Sequence, residues 1–184
     1  MPSAWQKREF VHQLRAGGLV AYPTEAVYGL GCDPLNRDAV LALQALKKRS
    51  QNKGLILIAA DYSQLSAYVK KLPDNLLKKI QQPSEQAITW LLPAQDSVPR
   101  WLTGGRSTIA VRIVKHALAK ELCELAQMPL VSTSANISGH QALSVAHHTR
   151  LKFAGQGVYT INGQVGKASQ PSQIIDALSG KRLR

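Results

Sequence analysis

Short apolar segments that suit buried strands alternate with amphipathic helical segments along the whole chain. The run GLILIAA at 54–60 is continuously apolar, which is typical of a strand buried on both faces of a sheet. It follows NRDAVLALQALKKR at 36–49, whose leading Asn and terminal cations predict a capped helix. This alternation favours an α/β fold. We predict a single domain, 1–184, built on a twisted mixed parallel and antiparallel sheet with flanking helices.

The remaining segments extend the same pattern. Further helices are predicted at 4–15, 62–71, 73–81, 115–127 and near 144–153. Further strands are predicted at 19–22, 87–94 and 107–113, from 128 into the polar loop that ends at 139, and near 157–161 and 172–176. No linker rich in Pro or Gly divides the chain, and no internal repeat is visible.

Composition narrows the class of protein. The chain has 184 residues, of which 45% are hydrophobic, so it can bury a substantial core. Its apolar runs, such as 55–60, are too short to span a bilayer. The N-terminal MPSAWQKREF lacks the apolar stretch of a signal peptide, so we predict a cytoplasmic protein with no membrane partner. Cys32 and Cys123 have no CxxC spacing and are expected to be reduced.

Positive charge is the strongest compositional signal. Lys and Arg number 23 against 11 Asp and Glu, which gives a formal net charge of +12. Such an excess favours polyanionic partners, among them nucleotides and nucleic acid, although a merely basic soluble surface would look the same. The chain shows no RNP signature and no zinc-finger spacing. Its aromatic content of 5% argues against a stacking platform for single strands.

Polar and cationic side chains gather at four places along the predicted strands, mostly at strand ends, where open α/β sheets leave ligand crevices. The four places are Thr24 with Glu25, the cations Lys47, Lys48, Arg49 and Lys53, the single Arg112 in TIAVRI, and STSAN at 132–136. Strand termination, a helix dipole or a turn would explain most of them individually. A buried Arg112, however, needs an anionic or hydrogen-bonding partner. Together they predict a cationic pocket with hydroxyl donors, suited to a phosphate and a carboxylate.

Several common catalytic arrangements are not found in the sequence. GQVGKA at 163–168 has the wrong spacing for a P-loop, and Gly29 and Gly31 lack the third glycine of a dinucleotide fingerprint. The five histidines form no HExxH or similar arrangement, so no protein metal site is predicted. No GxSxG elbow presents a serine nucleophile.

Five stretches resemble, in the same order, the motifs of the YrdC-like threonylcarbamoyl-adenylate synthases: AYPTEAVYGLGCDP, LKKRSQNKGLILIA, STIAVR, PLVSTSANISG and PSQIIDALSGKRLR. The resemblance covers nearly the whole chain and matches the short form of the family. It implies a YrdC-like fold and a nucleotidyltransferase that forms threonylcarbamoyl-AMP from L-threonine, bicarbonate and ATP, with release of pyrophosphate. It further implies transfer, through other tRNA-modification proteins, to the adenosine beside the anticodon of tRNAs that read ANN codons.

The resemblance also implies a role for individual residues. The residues expected to bind L-threonine are Thr24, Arg112, Ser132 and Ser172, with Arg112 near the carboxylate. The residues expected to act in catalysis are Lys47, Arg49 and Lys53, which match the KxRPxxK segment and would face a triphosphate accompanied by Mg²⁺. The residues expected to bind the nucleotide are Lys47, Arg49, Thr108, Ser134, Asn136 and Arg184. Gly29 and Gly31 would let the backbone lie close to the ligand.

Two segments depart from the family pattern. Ser50 stands where the family has proline, which removes a restraint on φ. SEQAIT at 84–89 replaces WPGPxT and keeps only the threonine. An alternative interpretation therefore stays open: an RNA-binding or ribosome-maturation module that uses a basic concave surface without catalysis. The charge supports this alternative equally well, and tRNA or RNA is a possible partner in either case.

Overall fold

The computed structural model describes residues 1–82, 84, 86–168, 170 and 172–183, and these form an eight-stranded sheet with helices on it. The strands are β1 Leu19–Pro23, β2 Tyr28–Gly31, β3 Ile56–Ala59, β4 Ile88–Pro93, β5 Thr108–Ile113, β6 Leu130–Ser134, β7 Val158–Thr160 and β8 Gln173–Asp176. The helices are α1 Ala4–Arg15, α2 Arg37–Leu46, α3 Asp74–Gln81, α4 Arg100–Thr103, α5 Ala117–Ala126 and α6 Ala146–Lys152.

The strand order in the sheet is β7-β1-β2-β6-β3-β5-β4-β8. The pairs β1–β7, β3–β5 and β4–β8 are parallel. The pairs β1–β2, β2–β6, β3–β6 and β4–β5 are antiparallel. The predicted α/β class with a mixed sheet is therefore confirmed.

Local capping explains where the best-predicted helices begin. The Ser3 side chain accepts a hydrogen bond from the backbone N–H of Gln6, and the Gln6 side chain accepts one from the N–H of Ser3, which closes a capping box before α1. The Asn36 side chain accepts from the N–H of Ala39 at the start of α2, as the sequence predicted. These caps satisfy backbone donors that have no partner inside the helix.

Side chains of β1 alternate between two apolar clusters on opposite faces of the sheet. Ala21 packs in one cluster with Val40 and Leu43 of α2. Tyr22 packs in the other, where α1 and α5 cover this part of the sheet. Because both faces are covered here, all five residues of the strand are buried.

Three segments differ from the sequence prediction. The helix predicted at 62–71 is wrong: only Ser63–Leu65 forms a short 3-10 helix, after which Val69 pairs with Ala94 as an isolated bridge. Strand β2 and the short helix α4 were not predicted. β2 has two glycines in four residues, which weakens the sequence pattern of a strand. Gly31 is nevertheless needed there, because a Cβ would lie 2.3 Å from the carbonyl oxygen of Val131 in β6.

Both cysteines are free and buried, and burial raises the pKa of Cys123 to about 12. A neutral, inert thiol follows from that environment. Within the described part of the chain, no helix is both long and apolar enough to cross a membrane.

Candidate active site

A cleft of about 670 Å³ lies on the sheet face that α1 and α5 cover only in part. Its floor is a row of neighbours across four strands, because Ile56 pairs with both Ser132 and Ala110, and Ala110 pairs with Leu91. On β5, Thr108, Ala110 and Arg112 line the cleft, while the intervening Ile109 and Val111 are buried in the core of the opposite face. Of these floor residues, Ala110 and Ser132 are small and leave room that larger apolar side chains would fill.

Glu25 and Arg112 form one wall of the cleft, which we call the paired wall. A Glu25 carboxylate oxygen lies 3.6 Å from a terminal nitrogen of Arg112, and the other oxygen accepts a 2.8 Å hydrogen bond from the N–H of Lys115. Burial works against ionisation of Glu25, but Arg112 and the Lys115 N–H outweigh it and lower the pKa of the carboxyl group. Glu25 is therefore a carboxylate at neutral pH.

Thr24 and Ser132 bring hydroxyl groups close to the paired wall. Thr24 is buried, and its hydroxyl donates a 2.7 Å hydrogen bond to the carbonyl of Val27 across the β1–β2 turn. A Cβ at Gly29 would lie within 3.4 Å of Tyr22, Thr24 and Ser132 side-chain atoms, so glycine keeps this corner open. Gly29 thus lines the cleft as expected, whereas the close approach at Gly31 is to β6.

Arg49, Lys53 and Arg106 form the cationic wall, next to the adjacent starts of β3 and β5. Arg49 donates a 2.8 Å hydrogen bond to the carbonyl of Gly54, and Arg106 donates a 3.0 Å bond to the carbonyl of Asn52. Burial lowers the pKa of Arg49. In the described ranges of the chain, no carboxylate lies within ion-pair distance of these three cations. Uncompensated positive charge in a cleft attracts a polyanion.

Lys47 is buried behind the loop that follows β6 and is not among the residues that line the cleft. Its side chain is buried, the residue being 3% exposed, and its ammonium donates to the carbonyls of Ser134 (2.5 Å) and Asn136 (2.6 Å) and to the Asn136 amide oxygen (3.1 Å). Burial, with a smaller contribution from Arg49, lowers the pKa of Lys47 to about 8. Lys47 was predicted to face a triphosphate, but in this structure it fastens the loop after β6 instead.

The loop after β6 is held by its own side chains as well. The Ser134 hydroxyl donates a 2.6 Å hydrogen bond to the Asn136 amide oxygen, and the Asn136 amide nitrogen donates to the carbonyl of His140, also at 2.6 Å. All three residues line the cleft. The loop therefore presents a fixed polar edge to a ligand.

Residues of the C-terminal segment line the cleft next to β4. The hydroxyls of Ser172 and Thr89 lie 2.8 Å apart and are buried, so the one threonine kept from the divergent 84–89 segment orients a predicted site residue. The backbone N–H of Leu183 donates to the carbonyl of Ile174 at 2.8 Å, while Leu183 itself is 53% exposed and lines the cleft. Arg184, predicted to bind nucleotide, lies outside the described residues.

Nine of the predicted site residues line this one cleft: Thr24, Arg49, Lys53, Thr108, Arg112, Ser132, Ser134, Asn136 and Ser172. Sequence reasoning left two charged lining residues, Glu25 and Arg106, without a role. The position of Glu25 next to Thr24, directly after a predicted strand, could have indicated that it lines the cleft. Arg106 carried no signal, because an arginine in a Gly-Gly loop is ordinary on a surface.

Within the described residues, no group of three His, Cys, Asp or Glu side chains is placed to hold a metal ion. Glu25 is the one carboxylate among the described residues that line the cleft, and it already contacts Arg112. Mg²⁺ prefers oxygen ligands and is usually held by one or two carboxylates together with substrate phosphates. The donor set therefore fits a metal that arrives on a polyphosphate, not one caged by protein.

The concave sheet face, the two charged walls and the polar loop define an α/β protein with a cleft suited to a small, charged molecule. The chain belongs to the Sua5/YciO/YrdC family, whose model, described as telomere recombination, matches residues 12–184.

Relatives in this family carry the name of an enzyme. The threonylcarbamoyl-AMP synthase of Yersinia pestis (strain Pestoides F) is 45% identical over 181 residues, which covers 96% of this chain and 93% of the relative. The synthase of the same name from Yersinia pseudotuberculosis serotype O:1b (strain IP 31758) matches equally well. The prediction of an enzyme of this family is therefore confirmed.

Solved structures in the family share the fold. Sua5 of P. abyssi in complex with L-threonine superposes with a TM-score of 0.81 at 36% identity, and its H234A/Y235A variant with 0.85 at 37%. Both matches cover 95% of this chain, which spans 51% of those longer chains. E. coli YciO superposes with a TM-score of 0.78 at 26% identity, covering 96% of this chain and 85% of YciO.

Proposed function

We propose that the chain forms threonylcarbamoyl-AMP from L-threonine, bicarbonate and ATP and releases pyrophosphate. The observation that carries this proposal is the division of one cleft into two kinds of wall, one with its cation matched by a carboxylate and one without. A zwitterionic amino acid suits the first and a polyphosphate suits the second. The near full-length similarity to enzymes named threonylcarbamoyl-AMP synthase supports the same proposal.

The amino acid would occupy the corner formed by the paired wall and the hydroxyl groups. Arg112 can hold the carboxylate through two parallel hydrogen bonds, which a planar guanidinium favours. Thr24, Ser132 and Ser172 are buried and line the cleft, and their hydroxyl groups are the groups that would hydrogen-bond the hydroxyl of the ligand. The threonine bound in P. abyssi Sua5 agrees with a substrate of this class in the family.

The triphosphate would lie against the cationic wall. Arg49 and Arg106 are already held by carbonyl oxygens, so little reorganisation is needed when charge builds up at the reacting phosphorus. Thr108, Ser134 and Asn136 provide further polar contacts along the same side of the cleft. Mg²⁺ would arrive with ATP and neutralise part of the phosphate charge.

The reaction joins two anions, which is the difficulty the cleft has to overcome. The neutral threonine amine forms a bond to the carbon of bicarbonate, and loss of water leaves a carbamate. A carbamate oxygen then forms a bond to the α-phosphorus of ATP as the bond to pyrophosphate breaks. The cationic wall reduces repulsion between the carbamate and the triphosphate and holds them in line. No covalent intermediate with the protein is needed, which agrees with the lack of a serine elbow in the sequence.

The product would serve the modification of tRNA, in the cytoplasm, through proteins that accept the threonylcarbamoyl group. The adenosine beside the anticodon of ANN-reading tRNAs is the proposed final acceptor. The net charge of +12 suits an enzyme that works among RNA partners, and it would also favour direct contact with tRNA.

The test is to incubate the purified protein with ATP, labelled bicarbonate and L-threonine and to identify the product by mass. We expect threonylcarbamoyl-AMP and equimolar pyrophosphate, with L-valine used far less well because a site that hydrogen-bonds a hydroxyl rejects the analogue without it. Equal use of valine would contradict the proposed pocket. Binding of RNA that weakens steeply with salt, without any product, would instead support the non-catalytic module.

A further inference from the structure

The contacts of Glu25 and Arg112 with each other are incomplete. The two side chains are 13% and 11% exposed, line the cleft, and approach each other only to 3.6 Å. One Glu25 oxygen and the Nε of Arg112 have no hydrogen-bond partner among the described residues. A charged group held largely out of water without its full set of hydrogen bonds is costly. Glu25 can therefore accept, and Arg112 can donate, a further hydrogen bond to a ligand.

The backbone fixes the position of the Glu25 carboxylate independently of Arg112. Its first oxygen accepts from the N–H of Lys115, immediately after β5, while the backbone carbonyl of Glu25 accepts from the N–H of Ala168. The carboxylate is thus anchored at the cleft edge by a contact that does not depend on the ion pair. Glu25 can keep this position while Arg112 turns toward a ligand.

The charge on the paired wall selects between classes of ligand. A simple acid that approached Arg112 would meet the negative charge of Glu25, and a simple amine would meet the positive charge of Arg112. A molecule that carries a carboxylate and an ammonium on one carbon can satisfy both residues at once. An α-amino acid has this arrangement.

We infer that Glu25 is a specificity-determining residue that receives the ammonium group of the amino acid while Arg112 receives its carboxylate. The inference rests on the proposed function, because it takes an amino acid as the substrate. It adds a reason why the site would reject a hydroxy acid of the same shape. The charge-assisted hydrogen bond to Glu25 is available only to the amine.

The experiment measures binding of two ligands to two proteins by calorimetry. The ligands are L-threonine and (2S,3R)-2,3-dihydroxybutanoate, in which a hydroxyl replaces the amine. The proteins are the wild type and Glu25→Gln, whose amide oxygen can still accept from Lys115. We expect the wild type to prefer threonine by about tenfold or more and the variant to prefer it by less than about threefold.

Each outcome has a distinct meaning. If Glu25 merely orients Arg112, the substitution will weaken both ligands by the same factor, and the inference is overturned. If the wild type binds both ligands equally, the inference fails without reference to any variant. If the wild type binds no threonine at all, the proposed function fails with it. Glu124→Gln, which removes an exposed carboxylate 4.0 Å from Lys120, is the matched control and should leave the preference unchanged.

Discussion

The two walls of the cleft use positive charge in opposite ways. In the paired wall, Arg112 sits beside a carboxylate that the backbone anchors. In the cationic wall, Arg49 and Arg106 are held by neutral carbonyl oxygens, and no carboxylate of the described residues contacts them. The first arrangement has nearly balanced charge, and the second keeps its charge available to a ligand.

Distance keeps the two walls separate. Thr108 begins β5 beside the cationic wall and Arg112 comes four residues later, so an extended strand places them about 13 Å apart. That separation accommodates an amino acid at one end and a polyphosphate at the other. All the arginines in this cleft carry the same charge. The kind of ligand group that each one can bind therefore depends on whether a carboxylate or a neutral carbonyl lies beside it.

The largest effect is expected from removing the uncompensated charge at Arg49, which tests whether the two walls act independently. We expect Arg49→Met to lower turnover by about 100-fold or more, since the loss of one preorganised donor at a developing charge costs that much in other enzymes. Threonine binding should change little, because the paired wall is intact. Turnover measured with separate titrations of ATP and threonine checks this. A variant that loses threonine affinity as much as turnover would show that the walls are not independent.

The reciprocal change is Arg112→Lys. Lysine keeps the charge beside Glu25 but cannot form two parallel hydrogen bonds with a carboxylate. We expect threonine affinity to fall by about 1–3 kcal/mol, or roughly five- to 150-fold, with ATP affinity nearly unchanged. Calorimetry with each ligand decides the matter. Normal threonine binding in the variant would remove Arg112 as the carboxylate partner.

The next prediction concerns the buried ammonium of Lys47 and the pH dependence of the stability of the protein. Because the pKa of Lys47 is about 8 in the folded protein and 10.5 when unperturbed, the unfolded chain binds the additional proton between these values. The folded protein should therefore gain stability from this group as the pH rises from about 8 to 10.5, and below pH 8 the penalty of burying the ammonium is fully present.

The measurement is the free energy of unfolding in urea at pH 7.5 and pH 9.5 for the wild type and Lys47→Met. The difference between the two proteins should shift in favour of the wild type at the higher pH. ATP affinity of the wild type should fall over the same range, because a neutral amine donates fewer hydrogen bonds to the loop at Ser134 and Asn136. A difference that does not change with pH would contradict the buried ammonium.

The sequence predicted the parts of this comparison that depend on local pattern. The apolar neighbours of Arg112 in TIAVRI predicted that this arginine is largely buried and needs a partner, and the structure places it in the cleft beside Glu25. The strand order could not be predicted, since β6 pairs with β2 and β3, which lie far from it in the chain. The Glu25–Arg112 contact depends on that order and has no local signal.

The sequence also could not predict which of the cations after α2 are buried and which line the cleft. Lys47 is the C-cap residue that follows α2, and Lys48 adopts a positive φ of 50°, which turns the chain sharply. As a result Lys47 points inward while Arg49 and Lys53 line the cleft. Ser50, which replaces the family's proline, accepts from the N–H of Asn52 and so supports the turn by hydrogen bonding. Three cations that lie close together in the sequence thus have different surroundings in the structure.

The smallest expected effect belongs to Lys53, which is an exposed member of the cationic wall, as Arg106 is. Exposed charges are screened by water and salt, so we expect Lys53→Gln to weaken ATP binding by less than about fivefold at low salt. Lys48→Gln is the matched control, because Lys48 is exposed in the same segment but does not line the cleft. Nucleotide titration of both variants at low and at high salt should show a loss only for Lys53, and that loss should shrink as salt rises. Equal losses in the two variants would mean that general surface charge attracts ATP, and the cationic wall would then have no special place in binding.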